Sequence, residues 1–192
     1  LRAGEPQAGE FMRMTGQGQC VWLQATYTPI LGPDGTPYKV VKFGRDVTAD
    51  KLARLNAEGK LSAIDRAQAV IEFDLSGRVL DANPNFLALM GYRLEEIQGH
   101  HHRIFVEPVQ AASADYQAFW ERLSRGEFNA GEYKRIGKDG KEVWIQAIYN
   151  PIFDLRGKPV KVVKFATDVT ASKLVSADYQ AKVAAIDLGP AV

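Results

Sequence analysis

Three adjacent histidines, His100, His101 and His102, are the residues whose type points most directly to chemistry. Neutral imidazole is a common iron ligand, and one proximal histidine is a way to hold haem. Neighbouring side chains cannot all point inward, so one or two at most can ligate. His102 is the preferred metal ligand, with His101 beside it. No partner follows at the spacing of a zinc site. The plain alternative is a polar loop that happens to be rich in histidine. Trp120 is a second candidate for contact with a bound group. With Tyr116, Phe119 and Leu123 it also forms a helix face that a core would use anyway. Asn83 and Asn85 could hydrogen-bond a ligand, yet Asn83 before Pro84 is equally a helix cap with proline at the first helical position. Trp144 and Tyr149 stand five apart on one expected strand, so they lie on opposite faces and only one can face the interior. Glu95 and Glu96 read as a solvated helix face. There is no phosphate-binding glycine loop, HExxH or GxSxG, and nothing points to an enzyme.

Composition narrows the classes. The 192 residues are 46% hydrophobic and 24% charged, as in an ordinary globular chain. Twenty-four Lys and Arg stand against 23 Asp and Glu, for a net charge of +1. No field of one sign argues for nucleic acid or an anionic membrane. The single cysteine, Cys20, excludes an internal disulfide framework and a thiolate zinc site. No apolar run approaches the roughly 18 residues of a membrane span. No signal peptide shows at the start, and a cytoplasmic location is expected. The chain opens on Leu1 rather than Met, as a fragment would.

An internal repeat organises the rest. Residues 1–52 match 123–174 without a gap at an offset of 122, with 28 of 52 positions identical. Val21-Trp22 recurs as Val143-Trp144, and Lys39-Val40-Val41-Lys42-Phe43 as Lys161-Val162-Val163-Lys164-Phe165. Asp46-Val47-Thr48-Ala49 recurs as Asp168-Val169-Thr170-Ala171, and Ala63-Ile64-Asp65 as Ala185-Ile186-Asp187. The period is domain-sized, too long for a solenoid of about 20–50 residues. The segment 1–48 is then the back half of one copy. Its strands should lack partners, leaving it poorly ordered or completed by another chain.

The whole copy reads as two strands (69–75 and 79–82), several short helices, and three strands near 128–137, 141–153 and 158–169. Asn83-Pro84 starts a helix that Gly91 ends, a short helix lies around 94–97, and another spans 114–124. Lys138-Asp139-Gly140 joins the first pair of closing strands as a hairpin signal. This order predicts an α+β domain with an antiparallel sheet. Residues 48–65 and 170–186 read as amphipathic helices between copies. Val175, Tyr179, Val183 and Ile186 form a stripe that either packs on its own sheet or pairs two chains as a short coiled coil.

The ordered set Val79-Leu80-Asp81-Ala82-Asn83-Pro84-Asn85-Phe86, Met90-Gly91-Tyr92, Glu95-Glu96-Ile97, Gly99, Lys138-Asp139-Gly140, Trp144, Asn150-Pro151 and Asp168-Val169-Thr170 resembles the PAS sensor family. The resemblance implies a PAS fold: a five-stranded antiparallel sheet with short helices on one face, in tandem repeats joined by linker helices. It implies these divisions: 1–48, the C-terminal half of a preceding domain; 49–65, a linker helix; 66–170, a complete domain; 171–192, a linker helix and the start of a further repeat. Phe119-Trp120, Leu123, Gly126-Glu127 and the 161–165 strand resemble the tandem PAS modules of soluble bacterial chemoreceptors of the aerotaxis and biofilm-dispersion types.

The family's cavity holds a cofactor in some members and nothing in others. Haem b on His102 is one implied occupant, and a colourless small ligand or none is another. The light-sensing branch keeps a reactive cysteine where His102 stands, so a cysteinyl photoadduct is excluded for 65–170. FAD is implied through Trp120, which matches a tryptophan of flavin-binding aerotaxis sensors, but their Arg-His pair is replaced here by Val106-Glu107. The cofactor-contacting residues implied are therefore His102, His101, Trp120, Asn83, Asn85 and Tyr149, with Asp168 and Thr170 relaying sheet distortion into the linker helix. The implied role is a sensory module, a homodimer passing its signal to chemotaxis signalling proteins through parts absent here. The rivals are a cofactor-free dimerisation scaffold, or the input of a histidine kinase or diguanylate cyclase.

Overall fold

A computed structural model describes residues 4–187 of the chain. The expected start of a further repeat at 188–192 lies outside the described residues. The chain divides into two compact units, one ending at Ala63 and the other beginning at Ile64, so the boundary falls inside a helix.

The first unit is an antiparallel sheet of β1 (Gln7–Met14), β2 (Cys20–Leu31) and β3 (Pro37–Asp46), in that order. Helix α1 (Thr48–Ala67) follows. The second unit begins with β4 (Ala69–Phe73) and β5 (Val79–Ala82). Next come α2 (Pro84–Met90), α3 (Leu94–Ile97), a 3-10 turn (His102–Phe105), α4 (Pro108–Ala111) and α5 (Ala114–Ser124). Strands β6 (Asn129–Ile136), β7 (Glu142–Phe153) and β8 (Pro159–Asp168) close the domain, and α6 (Thr170–Asp187) leaves it. The five strands form one antiparallel sheet in the order β5-β4-β8-β7-β6.

Alternation builds the sheet's inner face. Val143, Ile145, Ala147 and Tyr149 of β7 point inward, as do Ile71 and Phe73 of β4. They meet Phe86, Ile97, Phe105 and Leu123 from the helical layer in one core. Burial of these side chains is the main stabilising term, about 1.5–3 kcal/mol for each large one. The first strand ends at Phe73, two residues short of the expected 75, because the Asp74 carboxylate accepts from the Ser76 and Arg78 backbone N–H groups and forces a turn. At its tip Gly77 has φ +85°, and a Cβ there would lie 2.8 Å from the Trp120 ring. Glycine therefore lets this turn lie against α5.

The repeat is carried into backbone geometry. Leu23 pairs with Asp46, and Ile145 with Asp168; the register slips at Ile30/Leu31 and again at Ile152/Phe153. Both hairpins therefore share one register at the 122-residue offset. Their surroundings differ. Val162 is 0% exposed beneath the helices of its own domain, whereas its counterpart Val40 is 45% exposed. The strands at 7–46 form a regular sheet, on which Ala25 is buried and Val40 is exposed. On α6, Val175, Tyr179 and Val183 are exposed, so this stripe does not pack on the sheet. The side chain of Ile186 lies outside the described residues.

Candidate functional site

His102 enters the core from the first residue of its 3-10 turn and is 0% exposed. His101 before it caps that turn, its Nδ1 accepting from the Arg103 N–H at 3.1 Å. The turn thus sends the two side chains in different directions. Nδ1 of His102 meets the Tyr116 hydroxyl at 2.9 Å, and Nε2 meets the Tyr149 hydroxyl at 3.0 Å. Tyr149 also accepts from a terminal guanidinium nitrogen of Arg135 at 3.3 Å. A second Arg135 nitrogen donates to the Lys134 carbonyl at 2.7 Å, while its buried Nε has no partner. Lys164, also buried, holds its ammonium 5.1 Å from the Tyr149 ring centroid and 5.5 Å from that of Phe86. These cation–π contacts partly replace lost hydration.

The protonation states follow from this enclosure. Burial holds the His102 imidazole well below its usual range, and the nearby Lys164 and Arg135 charges act in the same direction. His102 is then neutral near pH 7, with one ring nitrogen donating and the other accepting. Burial also holds Lys164 well below the ordinary lysine range, with Arg135 adding to the shift. The same desolvation pushes Tyr116 up to about 12 and raises Tyr149. None of the ion pairs among the described residues reaches Arg135 or Lys164.

Haem b needs a free imidazole nitrogen and a flat slot beside it. Both nitrogens of His102 are engaged by tyrosines, and the rings of Phe73, Trp120 and Phe105 stand 5.3, 5.5 and 6.0 Å from it, centroid to centroid. The side chains as arranged do not fit haem. Trp120 packs against Phe73, His101 and Phe119, so they do not fit a flavin ring of FAD there either.

The structure brings together His102, Tyr149 and Trp120, with His101 at the edge. Tyr149 is the inward residue of its strand. Trp144 faces the other way, its ring under the Lys173 ammonium. Asn83 and Asn85 do not join the cluster. Asn83 accepts from Phe86 N–H as the cap of α2, and both asparagines donate to backbone carbonyls between Asp65 and Gln68. Asp168 and Thr170 form the start of α6: the Thr170 hydroxyl donates to the Asp168 carboxylate at 2.6 Å and accepts from the Trp144 N–H at 2.9 Å. Arg135 and Lys164 were not among the sequence candidates. The signal was present, because Arg13, Tyr27 and Lys42 repeat as Arg135, Tyr149 and Lys164.

Residues 79–166 match the profile of the PAS fold, and residues 1–49 match that of a PAS domain. The second unit has the PAS fold. Over 170 residues the chain is 45% identical to the biofilm dispersion protein BdlA of Pseudomonas aeruginosa, covering 88% of the chain and 41% of that protein. It is 36% identical over 76 residues to the aerotaxis receptor of Escherichia coli, covering 38% of the chain and 14% of the receptor. The chain thus spans less than half of either relative. A PAS domain from Colwellia psychrerythraea superposes with a TM-score of 0.52 at 23% identity, over 60% of this chain and 98% of that one. A light-oxygen-voltage domain superposes with a TM-score of 0.51 at 22% identity, over 65% of this chain and 96% of that one. These two likenesses concern the fold. No helix among the described residues is long and apolar enough to cross a membrane.

Proposed function

We propose that this chain is the sensory part of a signal-transduction protein of the chemoreceptor type, in which the PAS core perceives a small ligand or a redox state and relays it through α6. The kinship with BdlA and the aerotaxis receptor supports the receptor class. One structural relationship supports this reading of a relay. Strand β7 holds Tyr149, which ties His102 to Arg135, and also Trp144, whose backbone N–H and carbonyl both meet the start of α6. A ligand that shifts the tyrosine would move the strand on which α6 begins. Such a switch needs two conformations with different ligand affinity.

Hydrogen exchange over α6, read with and without small molecules retained from fresh cell extract, tests this. A change at residues 170–174 on removal of a retained molecule is expected. Unaltered exchange in every case removes the relay. An absorption spectrum from 300 to 700 nm on the same protein accompanies it, and a Soret band lost in His102→Ala would sink the ligand reading in favour of haem.

Exposed apolar side chains on the sheet of the first unit favour a second reading, a tandem array that acts as a dimerisation scaffold. Tyr38, Val40 and Phe43 are exposed there, as is the α6 stripe. A chain that pairs through these faces runs as a dimer in light scattering at every ligand concentration. A histidine kinase or diguanylate cyclase output in place of a receptor would leave both readings of these residues intact.

A further inference from the structure

Two cationic side chains, Arg135 and Lys164, lie in one core, and no ion pair among the described residues reaches either. Burying cations without a counter-charge is unfavourable, and an arginine cannot shed its charge. Rings and a phenol oxygen compensate only part of this. Of the five guanidinium donors of Arg135, one meets Lys134 O and one meets Tyr149, while Nε is buried without a partner. Arg135 also lines a cavity of about 270 Å³. Arg122 and Asn129 line the same cavity, the rings of Phe119 and Tyr133 give it apolar wall, and Asp115 is its sole acidic residue.

The first unit supplies an independent observation. Nearly half of the 52 aligned positions differ between the copies, yet the arginine, tyrosine and lysine recur. Arg13 donates to the Tyr27 hydroxyl at 3.2 Å, and Lys42 stands 5.5 Å from the Tyr27 ring. The same arginine–tyrosine–lysine arrangement is therefore built in both copies of the hairpin.

We propose that the cavity beside Arg135 binds a small molecule bearing a carboxylate, its anionic group on the guanidinium and its apolar body against Phe119 and Tyr133. The planar fork of arginine suits a carboxylate, and each terminal nitrogen of Arg135 gives only one of its two hydrogens to a protein acceptor. The proposal deepens the sensory reading, and it rests on that reading for its role in signalling.

Calorimetric titration of the 192-residue chain with sodium benzoate, sodium acetate and benzamide tests it. Benzoate binds, acetate binds more weakly, and benzamide, similar in shape and uncharged, binds at least about tenfold more weakly than benzoate. Arg135→Met weakens benzoate by about tenfold or more, and Arg135→Lys recovers part of the loss. Circular dichroism establishes that each variant is folded. Should Arg135→Met not fold, the benzoate-to-benzamide ratio in the unaltered protein and a weaker benzoate affinity in Arg122→Gln still decide. Absence of binding by both carboxylates, equal binding of benzamide, or unchanged affinity in a folded Arg135→Met overturns the proposal. Hydrogen exchange over α6 in the same samples separates the two ideas, since benzoate binding without a change in α6 leaves the site standing and removes the relay.

Discussion

The hydroxyl of Tyr149 lies 3.0 Å from Nε2 of His102 and so joins the middle of the sheet to the helical layer by one side chain. The same oxygen accepts from Arg135 on the neighbouring strand. His102 holds Tyr116 through its other nitrogen, so the polar thread runs from α5 through the 3-10 turn to β7 and β6. A polar thread in a low-dielectric core is stiff when satisfied and costly when cut.

Removing the central hydroxyl cuts two bonds at once. Tyr149→Phe is expected to lower unfolding stability by about 1–3 kcal/mol, because His102 and Arg135 each lose a buried partner. Urea unfolding measures it, with Tyr133→Phe as comparison. That hydroxyl donates to Asn129 in a half-buried position and its loss costs less. Equal effects in the two variants would contradict the network.

Stability should fall with acid through His102. Its folded pKa is depressed below 6.5, so the unfolded chain takes the proton first. The contribution is complete above about pH 6.5 and is lost progressively as pH drops below that towards the folded value. His101, lowered chiefly by burial, adds in the same sense. Urea midpoints between pH 5 and 8 should decline toward acid, and His102→Gln should flatten the decline. A flat profile in the unaltered protein would contradict the enclosure of His102.

Lys164 occupies a position that the strand pattern reserves for an apolar residue. Its folded pKa lies well below 10.5, so between the folded value and 10.5 the unfolded chain binds the extra proton. Stability rises with pH up to about 10.5 on this account. Lys164→Met is expected to raise stability near pH 7 by roughly 1–3 kcal/mol and to remove that slope. Thermal unfolding at pH 7 and 9 checks both. A destabilised variant would show that the ammonium is better compensated than its rings alone allow.

The junction at Thr170 should behave as a cap and as a strand tie. Thr170→Ala removes the acceptor of the Trp144 N–H and the contact with Asp168, at a cost of about 1 kcal/mol. Amides in the first turn of α6 should exchange faster, with the core unchanged. Thr48→Ala in the first unit should reproduce the effect at α1, because Thr48 accepts from Trp22 N–H at 2.8 Å. Unaltered exchange in Thr170→Ala would show that α6 is held by other contacts.

The sequence by itself determined the local plan: two hairpins of one register 122 residues apart, the Asn83 cap, the glycine stops and the α5 stripe. Each of these depends on neighbours in the chain, on period two or 3.6, or on a backbone angle, and all are written in short stretches. The internal match also marked Arg135 and Lys164 as repeated, without saying where they point. Tertiary structure alone decided that they face the core, that His102 is enclosed by two tyrosines, and that Asn83 and Asn85 serve the backbone at residues 65–68. The reason is that His102, Tyr116, Arg135, Tyr149 and Lys164 come from five separate elements. Alternation assigns a residue to a face, but the partners that make a buried polar group tolerable are assembled only when those elements pack.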